Sequence, residues 1–243
     1  MRHKFVQTEN ASLFREGIQI LENRGAMEAG MMLVTGRPGD GKSSTVDNWA
    51  SETGAIYLRA KEDWTPSYFM MDLCEALDVD PRGRAKDVFT RCVSKIAMNQ
   101  TPLIIDEVEF TLRNNAAVLE HVRDISDLTE IIVVLIGMAQ AGNKIARHMQ
   151  IASRIGYVCA FQPAPVEDVA TACRELAECE ISPDLVKRIH KEADGRMRLV
   201  LNAIARIEQA AKALGVDKVT AADMEGADLC EDWQTRLPTR RRR

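Results

Sequence analysis

A chain of 243 residues, 46% hydrophobic and 28% charged, has the composition of an ordinary globular protein and the length for one large domain or two small ones. A net charge of −4 and a pI near 5.7 exclude a protein that coats nucleic acid with its whole surface, while leaving room for a local basic patch. The longest apolar run, Ile131 to Ala139, is about half the ~20 residues of a bilayer crossing, and no secretion signal opens the chain, so a cytoplasmic setting without a membrane partner is expected.

In chain order, a helix over Leu13–Arg24 is predicted ahead of a first apolar strand, Met31–Thr35. Four more β-branched runs follow at Ala55–Arg59, Pro102–Asp106, Ile131–Ile136 and Tyr157–Phe161. Between them lie helical patterns at Tyr68–Leu77, Lys86–Asn99, Ala116–Ser126 and Asn143–Ala152. Strands alternating with helices imply crossover connections and a parallel sheet covered on both faces. Pro163 and Pro165 then break the chain, and Val166–Glu178, Pro183–Ala193, Arg198–Leu214 and Ala221–Leu229 all read as helix. Ser182-Pro183 and Thr220 serve as helix starts, Gly195 and Gly215 as stops.

The expected division is an α/β nucleotide-binding domain over 1–163, an all-helical domain over 164–229, and a basic tail over 230–243 with Arg236 and Arg240 to Arg243. That tail reads equally as a disordered end or as a phosphate-contacting arm. Six cysteines (74, 92, 159, 173, 179 and 230) without C-x-x-C spacing point to reduced thiols rather than a disulfide framework or a zinc site.

The most specific motif is Gly36-Arg37-Pro38-Gly39-Asp40-Gly41-Lys42-Ser43, which meets every fixed position of the phosphate-binding loop G-x-x-x-x-G-K-[ST] between a predicted strand and a helix opening at Ser44. Glycines let the backbone N–H groups curl around a phosphate, and the helix N-terminus adds partial positive charge. Lys42 would reach the β- and γ-phosphates of ATP, and the Ser43 hydroxyl would hold Mg²⁺.

Leu103-Ile104-Ile105-Asp106-Glu107 is an apolar strand ending in two acids. Asp106 would hold the metal's water shell beside Ser43, and Glu107 would polarise the attacking water, with Glu109 as a weaker alternative. Arg154, just before the last strand, would offer positive charge to a neighbouring subunit's γ-phosphate, with Arg147 as runner-up. Arg198, in Gly195-Arg196-Met197-Arg198, would sense phosphates from the helical domain. Met70, Met71 and Met138 read as core.

Taken in this order, the phosphate loop, the Asp106-Glu107 pair, Ser153-Arg154 and the Gly195-x-x-Arg198 motif resemble the AAA+ ATPases over residues 5–226. The resemblance implies strand order 5-1-4-3-2, a small helical lid, nucleotide bound between subunits, Arg154 as a trans-acting arginine finger and Arg198 as a second sensor. It also implies Mg²⁺-dependent ATP hydrolysis, slow and stimulated by DNA or a partner. The usual polar first sensor at the tip of the fourth strand is missing from Gly137-Met138-Ala139-Gln140, where only Gln140 is polar.

Within that class, Phe5-Val6-Gln7-Thr8, Val134–Gly137 and the short lid are similar to the transposition-associated ATPases, the group of the phage Mu transposition protein B. That likeness implies a bacterial or phage-infected host, duplex DNA held by an ATP-dependent homo-oligomer or filament, and a transposase as partner. The candidate DNA contacts are Lys61, Arg82, Arg84 and Lys86, with Trp64 either packing on the DNA backbone or filling a crevice. The competing readings are a replication initiator or helicase loader, and a protein-remodelling ATPase without DNA binding.

Overall fold

The computed structural model describes residues 1–230; the arginine-rich tail expected as an arm or a disordered end lies outside the described residues. The chain forms two compact units. The larger comprises 10–37 and 42–161; the smaller comprises Met1–Glu9, Pro38–Gly41 and the chain from Gln162 onward.

In the larger unit a five-stranded sheet has β1 (Met31–Thr35), β2 (Ile56–Arg59), β3 (Leu103–Asp106), β4 (Val133–Ile136) and β5 (Ile155–Ala160) in the order 2-3-4-1-5. Every pairing is parallel, and this is the expected 5-1-4-3-2 order read from the other edge. The three inner strands, β1, β3 and β4, are buried along their whole length and almost wholly apolar because both faces are covered. Met31, Leu33, Leu58, Ile105 and Leu135 face one core, shared with α3 (Pro66–Leu77), α4 (Ala85–Asn99) and α5 (Arg113–Thr129). Met32, Val34, Ile104, Val134 and Ile136 face the other, which α1 (Glu9–Glu22) and α2 (Lys42–Thr53) close with Phe14, Leu21 and Trp49.

The predicted helix at Asn143–Ala152 is two short ones, α6 (Ala141–Ile145) and α7 (Met149–Ala152). Between them the N–H groups of Arg147 and His148 bond three residues back, to Lys144 and Ile145 at 3.2 and 2.8 Å, which tightens the turn and ends α6. Met71 and Met138, expected in the core, are 62% and 51% exposed, whereas Met70 packs partly against α3's neighbours.

The smaller unit packs α8 (Val166–Leu176), α9 (Pro183–Ala193) and α10 (Met197–Leu214) through Val169, Leu176, Leu185, Ile189, Val200, Ile204 and Ile207. It is not all-helical: β6 (Glu180–Ile181) and β7 (Lys218–Val219) pair in parallel. The helix expected over Ala221–Leu229 is a run of turns. Its capping signal is present, since Asp223 accepts from the Thr220 N–H and hydroxyl at 2.7 Å. But Gly226 turns left-handed (φ 74°) and Arg188 takes the carbonyls of Met224 and Ala227, so no helical ladder follows. Residues 1–9 group with this unit rather than with the sheet: Val6 is buried in its core, the Arg2 N–H donates to Leu176 O at 2.8 Å, and Lys4 pairs with Glu175 at 2.9 Å.

Candidate nucleotide site

Ligands of open parallel sheets sit beyond the carboxyl ends of the strands, and β1 and β3 end in the two motif segments. Gly39 and Gly41 have φ of 94° and 92°, a region that costs a side-chain-bearing residue, so the loop needs glycine at both positions. The loop runs directly into α2, which starts at Lys42. Lys42 folds back: its ammonium donates to the carbonyls of Gly36 and Arg37, each at 2.9 Å. Asp40 is buried, Ser44 and Pro38 are exposed, and Arg37 is half-buried.

The Asp106 carboxylate is almost covered and receives three donors. Ser43 Oγ reaches Oδ2 at 3.0 Å, the Tyr57 hydroxyl donates to the same oxygen at 2.7 Å, and the Glu107 N–H donates to Oδ1 at 2.8 Å. Burial first, and Asp106 second, push the Tyr57 pKa well above the ordinary phenol value, so this hydroxyl stays a donor. A serine hydroxyl beside a carboxylate is the hard-oxygen donor set that suits Mg²⁺, and the residues present fit that ion.

Glu107 has a left-handed backbone (φ 56°, ψ 45°), rare for a non-glycine residue and a strain typical of functional positions. Its carboxylate is ion-paired with Arg59 at the end of β2. Neither Tyr57 nor Arg59 was expected from sequence. Their only signal is the alternation in Ile56-Tyr57-Leu58-Arg59, which puts both polar side chains on one face, with Arg59 in register with Asp106. Glu109, the alternative water activator, accepts instead from the Met138 N–H and ties the turn after β3 to the end of β4. Gly137 at that end admits no side chain, since an added Cβ would lie 2.7 Å from Ala141 and 2.8 Å from Val108. Gln140 is exposed and makes no side-chain hydrogen bond among the described residues.

Arg154 makes a two-pronged ion pair with Asp127 of α5, at 2.8 and 3.0 Å. Arg147 is exposed, and its side chain has no ion pair among the described residues. Arg198 has an exposed side chain, and its N–H donates to Gly39 O at 3.1 Å within the smaller unit. Of the four basic candidates, Lys61 is committed to Asp72 at 2.8 Å and Tyr68 at 3.0 Å, and Asp72 raises its pKa. Trp64 fills the core, 4% exposed, and donates to the same Asp72. Arg82 and Arg84 on the turn before α4, and Lys86 in its first turn, are exposed, with Arg82 paired to Asp80 at 3.4 Å; Arg91 shapes that turn by donating to Asp80 O and Arg82 O at 2.8 and 2.5 Å.

The family model described as AAA domain matches residues 24–145. No curated protein matches the chain. Among solved structures, Cdc6p from Pyrobaculum aerophilum aligns with a TM-score of 0.66 at 18% identity, covering 92% of this chain and 68% of that one. The Orc1 protein of Aeropyrum pernix in complex with DNA gives 0.59 at 19%, covering 88% and 63%. The RuvB Holliday junction branch migration motor of Thermotoga maritima gives 0.62 at 17%, covering 91% and 70%. At these identities the likeness is one of fold, and it does not single out the transposition-associated group. The phosphate loop, the acidic strand end and the matched sequence agree: this chain belongs to the AAA domain family, whose members hydrolyse nucleoside triphosphates.

Proposed function

We propose that the chain is a Mg²⁺-dependent ATPase that binds duplex DNA as an ATP-dependent homo-oligomer and passes it to a transposase. The observation that carries the catalytic part is the Ser43–Asp106 contact with Glu107 alongside. It supplies a metal-holding pair, Ser43 at the start of α2 and Asp106 at the end of β3, with an adjacent base. When bound, the metal neutralises charge on the β- and γ-phosphates. Lys42 exchanges the carbonyls of Gly36 and Arg37 for phosphate oxygens, and Glu107, once it leaves Arg59, orients water and takes its proton. Arg154 acts across a subunit boundary after releasing Asp127, while Arg198 reads phosphates from the helical side. Ser44, with the N–H groups of Gly39, Asp40 and Gly41, completes the phosphate cradle.

The exposed Arg82 and Arg84 on the turn before α4 and Lys86 at its start support the DNA part, since an oligomer needs few phosphate contacts per subunit. A replication initiator or helicase loader is the second reading, favoured by the fold likeness to Cdc6p and to Orc1 bound to DNA. ATPase rates with no DNA, duplex DNA and single strands separate these. Duplex stimulation, abolished in Lys42→Ala together with nucleotide binding, is expected. Preferential stimulation by single strands favours the loader reading, and stimulation by neither overturns the DNA part.

A further inference from the structure

Tyr57 belongs to neither motif, yet its hydroxyl ends on the carboxylate that faces the metal position. It projects from β2 onto the sheet face that carries Ile104, Asp106 and α2, the helix bearing Ser43. There it donates to Asp106 Oδ2 at 2.7 Å, sharing that oxygen with Ser43 Oγ at 3.0 Å, while the Glu107 N–H holds Oδ1 at 2.8 Å. The terminal torsion of an aspartate is soft, so a donor on one oxygen alone leaves the plane of the carboxylate free to swing. A hydroxyl that offers a lone pair to a cation keeps its O–H, so Ser43 and Tyr57 both remain able to donate to Oδ2, and the Tyr57 bond is the shorter of the two.

We infer that Tyr57 is a positioning residue for the divalent cation: through its hydroxyl it fixes the orientation of Asp106 before and after the metal enters. The inference rests on the proposed nucleotide site. It assigns to β2 a share in metal affinity, and none in nucleotide affinity without metal. Partners that orient metal-binding carboxylates typically alter affinity tenfold or more when removed.

Tyr57→Phe removes one oxygen atom and leaves the ring in place. In the full chain loaded with ADP, titration with Mn²⁺ followed by the electron paramagnetic resonance of the free ion is expected to show affinity weakened about tenfold. ADP affinity measured in EDTA should be unchanged. In an Asp106→Asn background the same substitution should have no further effect, because it acts through that carboxylate. Unaltered Mn²⁺ affinity, an equal loss in the Asp106→Asn background, or an equal loss of ADP affinity in EDTA overturns the inference. If the wild-type chain binds no ADP, the nucleotide site itself falls and takes the inference with it. If ADP binding is normal and abolished in Lys42→Ala, while Tyr57→Phe keeps its metal, only the role of Tyr57 falls.

Discussion

Lys42 and Asp106 are oriented by carbonyls and hydroxyls, whereas Glu107 and Arg154 are each held by an opposite charge. The carbonyls of Gly36 and Arg37 hold the Lys42 ammonium, and two hydroxyls and an N–H hold the Asp106 carboxylate. The two charges that the proposed mechanism requires are latched by ion pairs: Arg59–Glu107 lies open to solvent and holds weakly, while Arg154–Asp127 is two-pronged and partly buried. The contrast suggests how nucleotide can be bound without being consumed. In the proposed mechanism, binding uses what is already in place, and hydrolysis waits on two releases, one within β2–β3 and one between α5 and the start of β5.

The largest test concerns the Arg154 latch. Arg154→Ala is expected to lower kcat about 10³-fold with nucleotide binding retained, the scale of an arginine that completes a phosphoryl-transfer site in trans. Mixing it with Glu107→Gln subunits should restore part of the rate, since each supplies what the other lacks. Arg147→Ala is the control. If Arg147 rather than Arg154 carries the loss, the latch at Asp127 is structural and the arginine outside it is the acting one. Next in size, Glu107→Gln should cut kcat by about 10²-fold or more, the range for a positioned base, and trap the ATP-bound assembly. Equal losses of ATP affinity and rate would place Glu107 with the preset residues instead.

A smaller effect is expected around the start of α4, where Arg82, Arg84 and Lys86 are exposed and Arg82 pairs with Asp80 at 3.4 Å. Replacing Arg82, Arg84 and Lys86 with Gln should weaken duplex binding at low salt. For every phosphate that a subunit no longer neutralises, the slope of log affinity against log salt should become shallower by about 0.9. DNA-free ATPase should stay as it was. An unchanged salt slope would remove this turn from the DNA path.

What could be read from sequence follows the same division. The phosphate loop and the acidic strand end are contiguous in the chain, so their chemistry shows in a few adjacent letters. A parallel sheet covered on both faces was likewise legible, because its buried strands must be apolar on both faces, whereas the strand order came only from the resemblance to the AAA+ ATPases. The latches were not, because Asp127 lies on α5 and Arg59 on a neighbouring strand, joined to their partners only by folding. Lys61 escapes a sequence reading for a related reason: Asp72 reaches it from the next helix and takes Trp64 as well. The left-handed backbone of Glu107 had no signal either, since glycine, the residue that normally marks it, is absent there. In the smaller unit, Thr220 and Asp223 form a sound helix start, but Gly226 and the reach of Arg188 decide that no helix follows.

The finest test addresses the Arg59 latch alone. If the Arg59–Glu107 pair withholds the base, Arg59→Ala should raise the DNA-free rate, and by only a few-fold, because a pair this open to water restrains its partner weakly. The duplex-stimulated rate should move little, so the stimulation ratio shrinks from its lower end. Arg59→Lys, which keeps the charge but not the planar fork, should fall between the two. A drop in both rates would mean that Arg59 positions Glu107 productively. The ion pair would then be part of the working site, and the contrast between preset and latched residues would hold only at Arg154.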